Sequence, residues 1–428
     1  MTRRRALWLI IFAAVLLAID LAIRLRPGPR ASGAMPQAAY VWQRSWDDSV
    51  SQAILESQGR FSELVALSAE VDWRAGSPRI IRVPLDYEAL HQSKEPVGIA
   101  LRIGAFSGPF RAQDEVTLGL SNLAQSLVHE AASNHLELAE LQLDFDCAES
   151  KLEGYGVWVD AIRKQIAPVP VVITALPAWL KRSAFRSLIA KADGYVLQVH
   201  SLTRPQSIDS PFSLCDPKLA GGAVERAASL GKPFRVALPT YGYLLAFDSR
   251  GRFAGLSAEG PDRLWPTNYS VREVRADPAA LSELVHSWTS NRPAALQGLI
   301  WYRLPVPGDR LNWRWPTLAA VMEGKPPRTG IRVEKREPQA GLVEIDLVND
   351  GQADFNAPVK VVLRWTAERL VASDAFQGFE VEETAASTIT FASTAEFARL
   401  GPGERRALGW ARFNQPSEFS LEAHLNDH

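Results

Sequence analysis

Carboxylates follow an apolar run in the stretch Glu140–Glu149, and their spacing suits proton-transfer chemistry. Apolar and polar side chains alternate there, which is typical of a strand with one face of each kind. The polar face carries Gln142, Asp144 and Asp146. Two carboxylates on one face would repel each other in a closed core, but they are tolerated where a strand ends in a wet cleft. Because close acidic neighbours raise one pKa, such a pair can keep one carboxyl group protonated.

The chemistry that fits these acids best is cleavage of a glycosidic bond. It needs one carboxylic acid to protonate the leaving oxygen, and a second carboxylate or an amide of the substrate to support positive charge. The candidate catalytic residues are Asp144, Asp146 and Glu149. Glu149 would point towards the helices if the strand continued straight, so its participation requires a bulge or the strand's end near Cys147. The alternative is that Arg102 pairs with Asp144 and makes the cluster structural.

Candidate substrate-binding residues lie at or near the ends of other predicted strands. Aromatic side chains offer flat faces to sugars, and His or Arg side chains offer hydrogen bonds. These candidates are Trp46, Arg102, His200, Tyr241, Trp301 and Tyr302. For each aromatic residue the alternative is a place in the core, and for His200 it is a hydrogen-bonded position at the rim. No zinc motif, Walker loop or dinucleotide glycine pattern is present, so we expect neither a metal nor a cofactor.

Strand-like apolar runs alternate with helical stretches from Ala39 to Met322, which predicts parallel strands with intervening helices. The predicted strands cover residues 39–46, 63–72, 97–104, 140–149, 169–176, 194–200, 234–239 and 296–303. Eight such units predict an α/β fold, a TIM-like (β/α)8 barrel, in preference to a doubly wound open sheet. In such a barrel the carboxyl ends of the strands form one rim, where the acids of strand four would lie.

Helical periodicity ends at the segment Lys325–Arg328. Beyond it, residues 341–347 and 357–365 alternate like sandwich strands, and Gly-containing turns follow. We therefore predict three parts: a signal anchor and linker at 1–36, the barrel at 37–324, and a small C-terminal β-sandwich at 330–428. We expect the sandwich to serve structural packing rather than independent ligand binding.

The first residues predict membrane targeting, because Arg3–Arg5 precede an apolar run, Ala6–Ala22, that only Asp20 interrupts. We expect an uncleaved single-pass anchor in the inner membrane, with the bulk of the chain periplasmic or otherwise extracytoplasmic. A signal peptide cleaved near residues 31–34 is the alternative. In an exported chain Cys147 and Cys215 are a candidate disulfide, and two buried thiols are the other interpretation.

The amino-acid composition limits the classes of molecule that the protein is expected to bind. The net charge of −1 gives no electrostatic basis for binding nucleic acid. Thirteen Trp residues are unusually many, and exposed ones would suit flat, amphipathic ligands. We therefore expect a polysaccharide or cell-envelope glycan as the partner, and the membrane as a contact of the N-terminal segment alone.

Over residues 39–322 the order of these motifs resembles the chitinase-like family 18 glycoside hydrolases. In that family strand four ends in Asp-x-x-Asp-x-Asp-x-Glu and strand seven in a Pro-x-Tyr-Gly turn. Asp144 and Asp146 match the second and third Asp, and Pro239–Gly242 matches the turn. Leu141 replaces the first Asp and Ala148 the catalytic Glu, so the resemblance implies the family's hydrolysis only if Glu149 substitutes. The segment Gln198–Ser201 also departs from the family's Met-x-Tyr-Asp.

The chain also resembles a bacterial family known as domain of unknown function 3142. The segments that carry this resemblance are Leu143–Cys147, Ser150–Tyr155 and Leu176–Leu180. The family implies no activity. Together these observations predict a glycan-active, glycoside hydrolase-like barrel that uses the acids of strand four. The alternative is a non-catalytic glycan-binding or structural envelope protein without the catalytic Glu.

Overall fold

The structure is a computed structural model that describes residues 28–74, 76–258, 265–366, 369–376, 378–395, 397 and 399–425. The predicted membrane anchor lies outside these residues, so its expected orientation stays a prediction. Within the described ranges, no helix combines the length and the apolar character needed to cross a membrane.

Eight parallel strands form a closed barrel, which confirms the predicted fold class. The strands are β1 (Gln37–Val41), β2 (Leu64–Arg74), β3 (Val97–Ile103), β4 (Leu138–Asp144), β5 (Val171–Ala175), β6 (Gly194–Gln198), β7 (Phe234–Pro239) and β8 (Leu296–Tyr302). Each strand pairs with the next one along the chain, and β8 pairs with β1 to close the ring. The carboxyl ends of all eight strands therefore lie at one mouth.

One helix follows each barrel strand in the sequence. The helices are α1 (Asp48–Glu56), α2 (Tyr87–Ser93), α3 (Glu115–Ser133), α4 (Leu152–Ile166), α5 (Ser183–Lys191), α6 (Pro217–Ala228), α7 (Pro278–Ser290) and α8 (Trp315–Met322). Aspartate side chains cap the first turns of α1, α2, α3 and α6, where free backbone N–H groups need acceptors. Between strands and helices the chain also forms two short 3-10 turns, Glu149–Lys151 and Pro177–Lys181.

Strand β4 is shorter than the alternating pattern predicts. It ends at Asp144, not at Cys147 or beyond. The cause is a tight turn in which the Cys147 N–H donates to the Phe145 carbonyl at 2.8 Å. The Phe145 side chain then packs against Trp158 of α4, with ring centroids 5.1 Å apart. The apolar alternation after Asp144 therefore reflects packing under a helix and not a continued strand.

Alternate side chains of each strand fill the inside of the barrel, as period-two geometry requires. The buried interior cluster consists of Ala38, Tyr40, Trp42, Val65, Leu67, Val83, Ala100, Val172, Val196, Ala237 and Ile300. One polar chain crosses this layer, because the Tyr40 hydroxyl donates to Gln142 Oε1 at 2.6 Å. Gln142 in turn donates to Glu140 Oε1 at 2.5 Å, one inward position nearer the amino end of β4.

The amino end of the barrel interior holds a buried ionic cluster of Glu63, Glu140 and Arg235. The Arg235 guanidinium donates to Glu63 Oε2 at 2.7 Å and also to Glu140. Burial and the neighbouring Glu140 raise the pKa of Glu63 to about 7, although Arg235 opposes this. Gly98 gives these side chains room, since a Cβ there would lie 2.9 Å from Glu63 Oε1. Charged side chains, rather than apolar ones, therefore fill this end of the barrel interior.

By compactness the chain divides into two units. The first unit contains the eight barrel strands and helices α1 to α6. It also contains the strand Ser77–Arg82, antiparallel to β2, and the short pair Arg30–Ala31 with Arg292–Pro293. The second unit takes residues 205–211, 240–286 and the chain from residue 305 onward. The predicted domain limits at residues 324 and 330 stay a prediction.

The described residues of the second unit form three antiparallel sheets. A three-stranded sheet consists of Gly242–Phe247, Phe253–Ser257 and Ser270–Arg275. One four-stranded sheet consists of Ile331–Gln339, Leu342–Asn349, Leu370–Ala375 and Arg405–Phe413. The other consists of Val359–Trp365, Phe379–Ala385, Thr388–Ser393 and Phe419–Leu425. The two four-stranded sheets share a buried apolar core that includes Ile345, Leu363 and Phe391, which makes them the predicted β-sandwich.

Candidate active site at the barrel mouth

Four neighbouring strands bring a row of polar side chains to the carboxyl rim. Cross-strand register places Glu70 beside Arg102 and Arg102 beside Asp144. The Thr174 hydroxyl of β5 donates to Asp144 Oδ1 at 2.8 Å. Arg102 Nε lies 3.8 Å from Asp144 Oδ2, and its Nη1 lies 3.6 Å from Glu70 Oε1. The ion pair that the structural alternative expects is therefore present, at the outer limit of such contacts, while Asp144 keeps a direct hydrogen bond from Thr174.

Asp146 lies just beyond the end of β4, and its side chain is exposed at the rim. Loss of hydration among the surrounding protein atoms raises its pKa to about 7, and the charge of Asp144 adds to this effect. Arg102 acts in the opposite direction and lowers the same pKa. An accessible carboxyl group that keeps its proton up to about neutral pH is suited to act as a general acid.

Aromatic rings line the barrel interior at this mouth. Tyr302 at the end of β8 lies 5.3 Å from Trp42 and 5.8 Å from Tyr40, measured between ring centroids. Trp46 packs against the same interior cluster and is half-buried. Among the described residues, the buried indole N–H groups of Trp42 and Trp46 have no hydrogen-bond acceptor. Of these rings, Trp46 and Tyr302 are half-buried, and partly exposed aromatic faces are a feature by which proteins bind sugar rings.

His200, a predicted substrate-binding residue, lies against this aromatic group but is closed off from solvent. Its exposed fraction is 4%, and its ring stacks on Tyr302 with centroids 5.5 Å apart. Burial lowers the pKa of His200 to about 3, so the imidazole stays neutral at physiological pH. It can orient Tyr302, but it is not placed to exchange protons with a ligand.

Two further predicted binding residues are buried. Trp301 is fully buried on the strand face opposite to Tyr302, and its indole N–H donates to Gln37 Oε1 at 2.8 Å. Tyr241 belongs to the second compact unit. It is buried there, and its hydroxyl lies 3.0 Å from the Tyr243 hydroxyl. Both side chains are thus used in packing.

The Glu149 carboxylate forms its contact with an arginine and not with Asp144. It begins the short 3-10 turn after β4, and its carboxylate forms an ion pair with Arg182. It lines a separate groove of about 520 Å³ that three basic side chains share. Asp144 is the next residue on the inward face after Gln142, and the turn at Cys147 separates Glu149 from that face. Ala148, at the position of the family's catalytic Glu, carries no acid.

Both cysteines are buried and free in this structure. Burial raises the pKa of each thiol to about 12, so neither is a reactive thiolate at neutral pH. The Cys147 carbonyl accepts the indole N–H of Trp179 at 3.2 Å, which ties the turn after β5 to the turn after β4. This arrangement is the alternative of two buried thiols and not the candidate disulfide. Across the described residues, no group of three His, Cys, Asp or Glu side chains could hold a metal ion.

Several residues of the site were not among the sequence-based candidates. Thr174 and Trp42 face inward on β5 and at the end of β1, and Lys181 and Arg226 line the groove beside Glu149. The alternation in Val171–Ala175 indicates that Thr174 shares a face with Val172. That Thr174 meets Asp144 depends on the register between β4 and β5, which the local sequence does not encode.

Two family models match the chain. Residues 107–307 match the domain of unknown function DUF3142, and residues 332–414 match a second domain of unknown function, DUF8456. The predicted resemblance to the first of these families is confirmed. The sequence has no significant match among curated proteins.

Solved structures similar to this chain include chitinases. The spore cortex-lytic enzyme SleL of Bacillus cereus is 11% identical, with 69% of this chain and 75% of that chain covered and a TM-score of 0.48. A chitinase of Chromobacterium violaceum is 15% identical, with 68% and 99% covered and a TM-score of 0.46. The GH18 chitinase ChiB of Flavobacterium johnsoniae is also 15% identical, with 64% and 89% covered and a TM-score of 0.42.

Proposed function

We propose that this protein is an extracytoplasmic glycan-active protein whose barrel cleaves a glycosidic bond with Asp146 as the acid. One observation carries the proposal. Asp146 is exposed at the mouth, and its pKa of about 7 leaves it a proton to donate near neutral pH. The neighbouring Asp144 contributes to that shift, and the Thr174 hydroxyl fixes its carboxylate.

The two acids would take different parts in the reaction. Asp146 would transfer its proton to the glycosidic oxygen as the bond from that oxygen to the sugar carbon breaks. Positive charge then develops on the sugar ring, and the Asp144 carboxylate would stabilise it directly or orient a substrate amide that does so. Water adds to the sugar carbon and its proton returns to the acid. The half-buried rings of Trp46 and Tyr302 would hold the sugar.

Asp146→Asn tests this role because it keeps the shape of the side chain and removes the transferable proton. We expect the purified full-length protein to release reducing sugar from at least one member of a polysaccharide panel, and the variant to lose at least about 99% of that rate, since general acids typically contribute 10²–10⁴-fold. Asp48→Asn, an exposed change in the first turn of α1, is the matched control. Unchanged release by Asp146→Asn would exclude Asp146 as the acid.

A non-catalytic glycan-binding protein is the second candidate, and Ala148 favours it. That position holds the acid in the family that the motifs resemble, and the nearby Glu149 is engaged by Arg182. In this case glycan-array binding would persist without turnover, and Asp146→Asn would leave binding intact. Turnover that depends on Asp146 would rule this candidate out.

The extracytoplasmic location rests on the arginines and the apolar run of the first 22 residues. A reporter that is active only outside the cytoplasm, fused after residue 37, tests it. We expect activity with the native segment, and loss of activity when Leu16 and Leu17 are both replaced by Arg. A fusion that stays inactive with the native segment would place the barrel in the cytoplasm.

A further inference from the structure

A cationic groove lies beside the candidate acid. It has a volume of about 520 Å³ and is lined by Glu149, Pro177, Ala178, Lys181, Arg182 and Arg226. The three basic side chains are all exposed to solvent. Glu149, the one acidic side chain in the lining, pairs with Arg182. Within the described part of the chain, the Lys181 ammonium and the Arg226 guanidinium have no ion-pair partner, so two positive charges of the groove are not neutralised.

The groove starts close to the candidate acid. Glu149 follows Asp146 by three residues, so their Cα atoms are at most roughly 11 Å apart even in a fully extended chain. The turn Pro177–Lys181 is held at the same place, because Trp179 donates to the Cys147 carbonyl. The lining of the groove therefore begins within that distance of Asp146, on the two turns that follow β4 and β5.

From this arrangement we infer that the natural ligand is an anionic glycan, one that carries carboxylate or phosphate groups, and that Lys181 and Arg226 bind those groups. The inference rests on the proposed glycan activity of the same site. Unpaired cations in a concave lining attract anions and raise their local concentration. Arginine and lysine are also the side chains that commonly bind carboxylates and phosphates. A concave groove beside an acid favours a polymer chain over a flat membrane surface as the occupant.

The test is a double charge reversal, Lys181→Glu with Arg226→Glu, in the full-length protein. The probes are polygalacturonate for carboxylate, a glycerol phosphate polymer for phosphate, a neutral β-glucan, and vesicles that contain phosphatidylglycerol. We expect at least one anionic polymer to bind more tightly than the β-glucan, and this binding to weaken about tenfold or more in the double variant. Higher salt should weaken it as well, because salt screens exposed charges.

The matched control reverses Lys164 and Arg186, which are exposed and do not line the groove. We expect this control to keep the affinity for the anionic polymer. Equal binding of neutral and anionic glycans, or equal losses in the two double variants, would overturn the inference. Binding to the anionic vesicles alone would overturn it too, in favour of a lipid surface.

Binding and turnover separate this inference from the proposed function. If an anionic polymer binds through Lys181 and Arg226 but is never cleaved, the hydrolase proposal fails and the ligand class stands. If a neutral glycan is cleaved in a way that depends on Asp146 and not on the two cations, the ligand class fails and the hydrolase proposal stands.

Discussion

At the scale of single residues, the chemistry of the site depends on two acids in different surroundings. Asp144 accepts a hydrogen bond from Thr174 and lies near Arg102, whereas Asp146 is exposed without an ion pair of its own among the described residues. The charge of Asp144 then helps to keep a proton on Asp146. Different surroundings can thus assign different roles to chemically identical side chains.

Asp144→Asn should lower the pKa of Asp146, because it removes the nearest negative charge. The pKa should remain above the ordinary value for Asp, since loss of hydration among the surrounding protein atoms contributes more to the shift than Asp144 does. Hydrolysis at pH 7 should fall, as less of the Asp146 carboxyl group is protonated there. A carbon-13 NMR titration of the Asp carboxyl groups measures the midpoint directly.

Thr174→Val is the control for that titration, because it removes the hydrogen bond to Asp144 but keeps its charge. We expect the elevated midpoint of Asp146 to persist in this variant. A midpoint that does not change in Asp144→Asn would show that the two carboxylates do not interact.

At the scale of elements, the barrel depends on a glycine of β3 that makes room for the buried ionic cluster. A Cβ at Gly98 would lie 2.9 Å from Glu63 Oε1 and 3.0 Å from Glu140 Cγ. Gly98→Ala should therefore force these buried side chains apart and lower the free energy of unfolding by about 1–3 kcal/mol. Urea denaturation followed by circular dichroism measures the change.

Gly119→Ala in α3 is the opposite case and serves as the control. The position is exposed, and no atom lies within 4 Å of the added Cβ. Because Ala is the better helix former, we expect stabilisation of about 0.5–1 kcal/mol. If both substitutions had the same effect, the close packing at Gly98 would be without energetic consequence.

At the scale of the whole molecule, stability should depend on pH through the buried carboxyl groups. Glu63 has a folded-state pKa of about 7, above its ordinary value of 4.5, so the folded state binds the extra proton between these pH values. Its contribution is fully present below about pH 4.5 and is lost as pH rises through about 7. His200 acts in the opposite direction, because its pKa is lowered and its contribution is lost as pH falls from 6.5 towards 3.

Glu63→Gln isolates the first effect, since His200 contributes equally to the native protein and the variant. Between pH 5 and pH 8 the native protein should lose on the order of 2 kcal/mol more stability than the variant does. Urea unfolding at the two pH values gives the difference. Glu225→Gln, which alters an exposed pair with Arg30, should leave the pH dependence as it is. A variant with the native slope would contradict a raised pKa at Glu63.

Much of the fold was predictable because its signals are local. Apolar strand-like runs and the helical stretches between them predicted the barrel, and period-two alternation predicted its fourth strand. The same local pattern placed Asp144 and Asp146 at the end of β4, and the loss of helical periodicity after residue 324 predicted the sandwich. These features depend only on residues a few positions apart.

The partners of each side chain were decided by the tertiary structure alone. Arg102 meets Asp144, Thr174 meets Asp144, and Glu149 meets Arg182, and each of these contacts joins residues about thirty or more positions apart. The burial of His200 and Trp301 likewise depends on which elements cover them. Register and burial are set by the sum of many distant contacts. The sequence therefore determined which acids stand at the end of β4, while the closed ring decided that Asp146 is the accessible one.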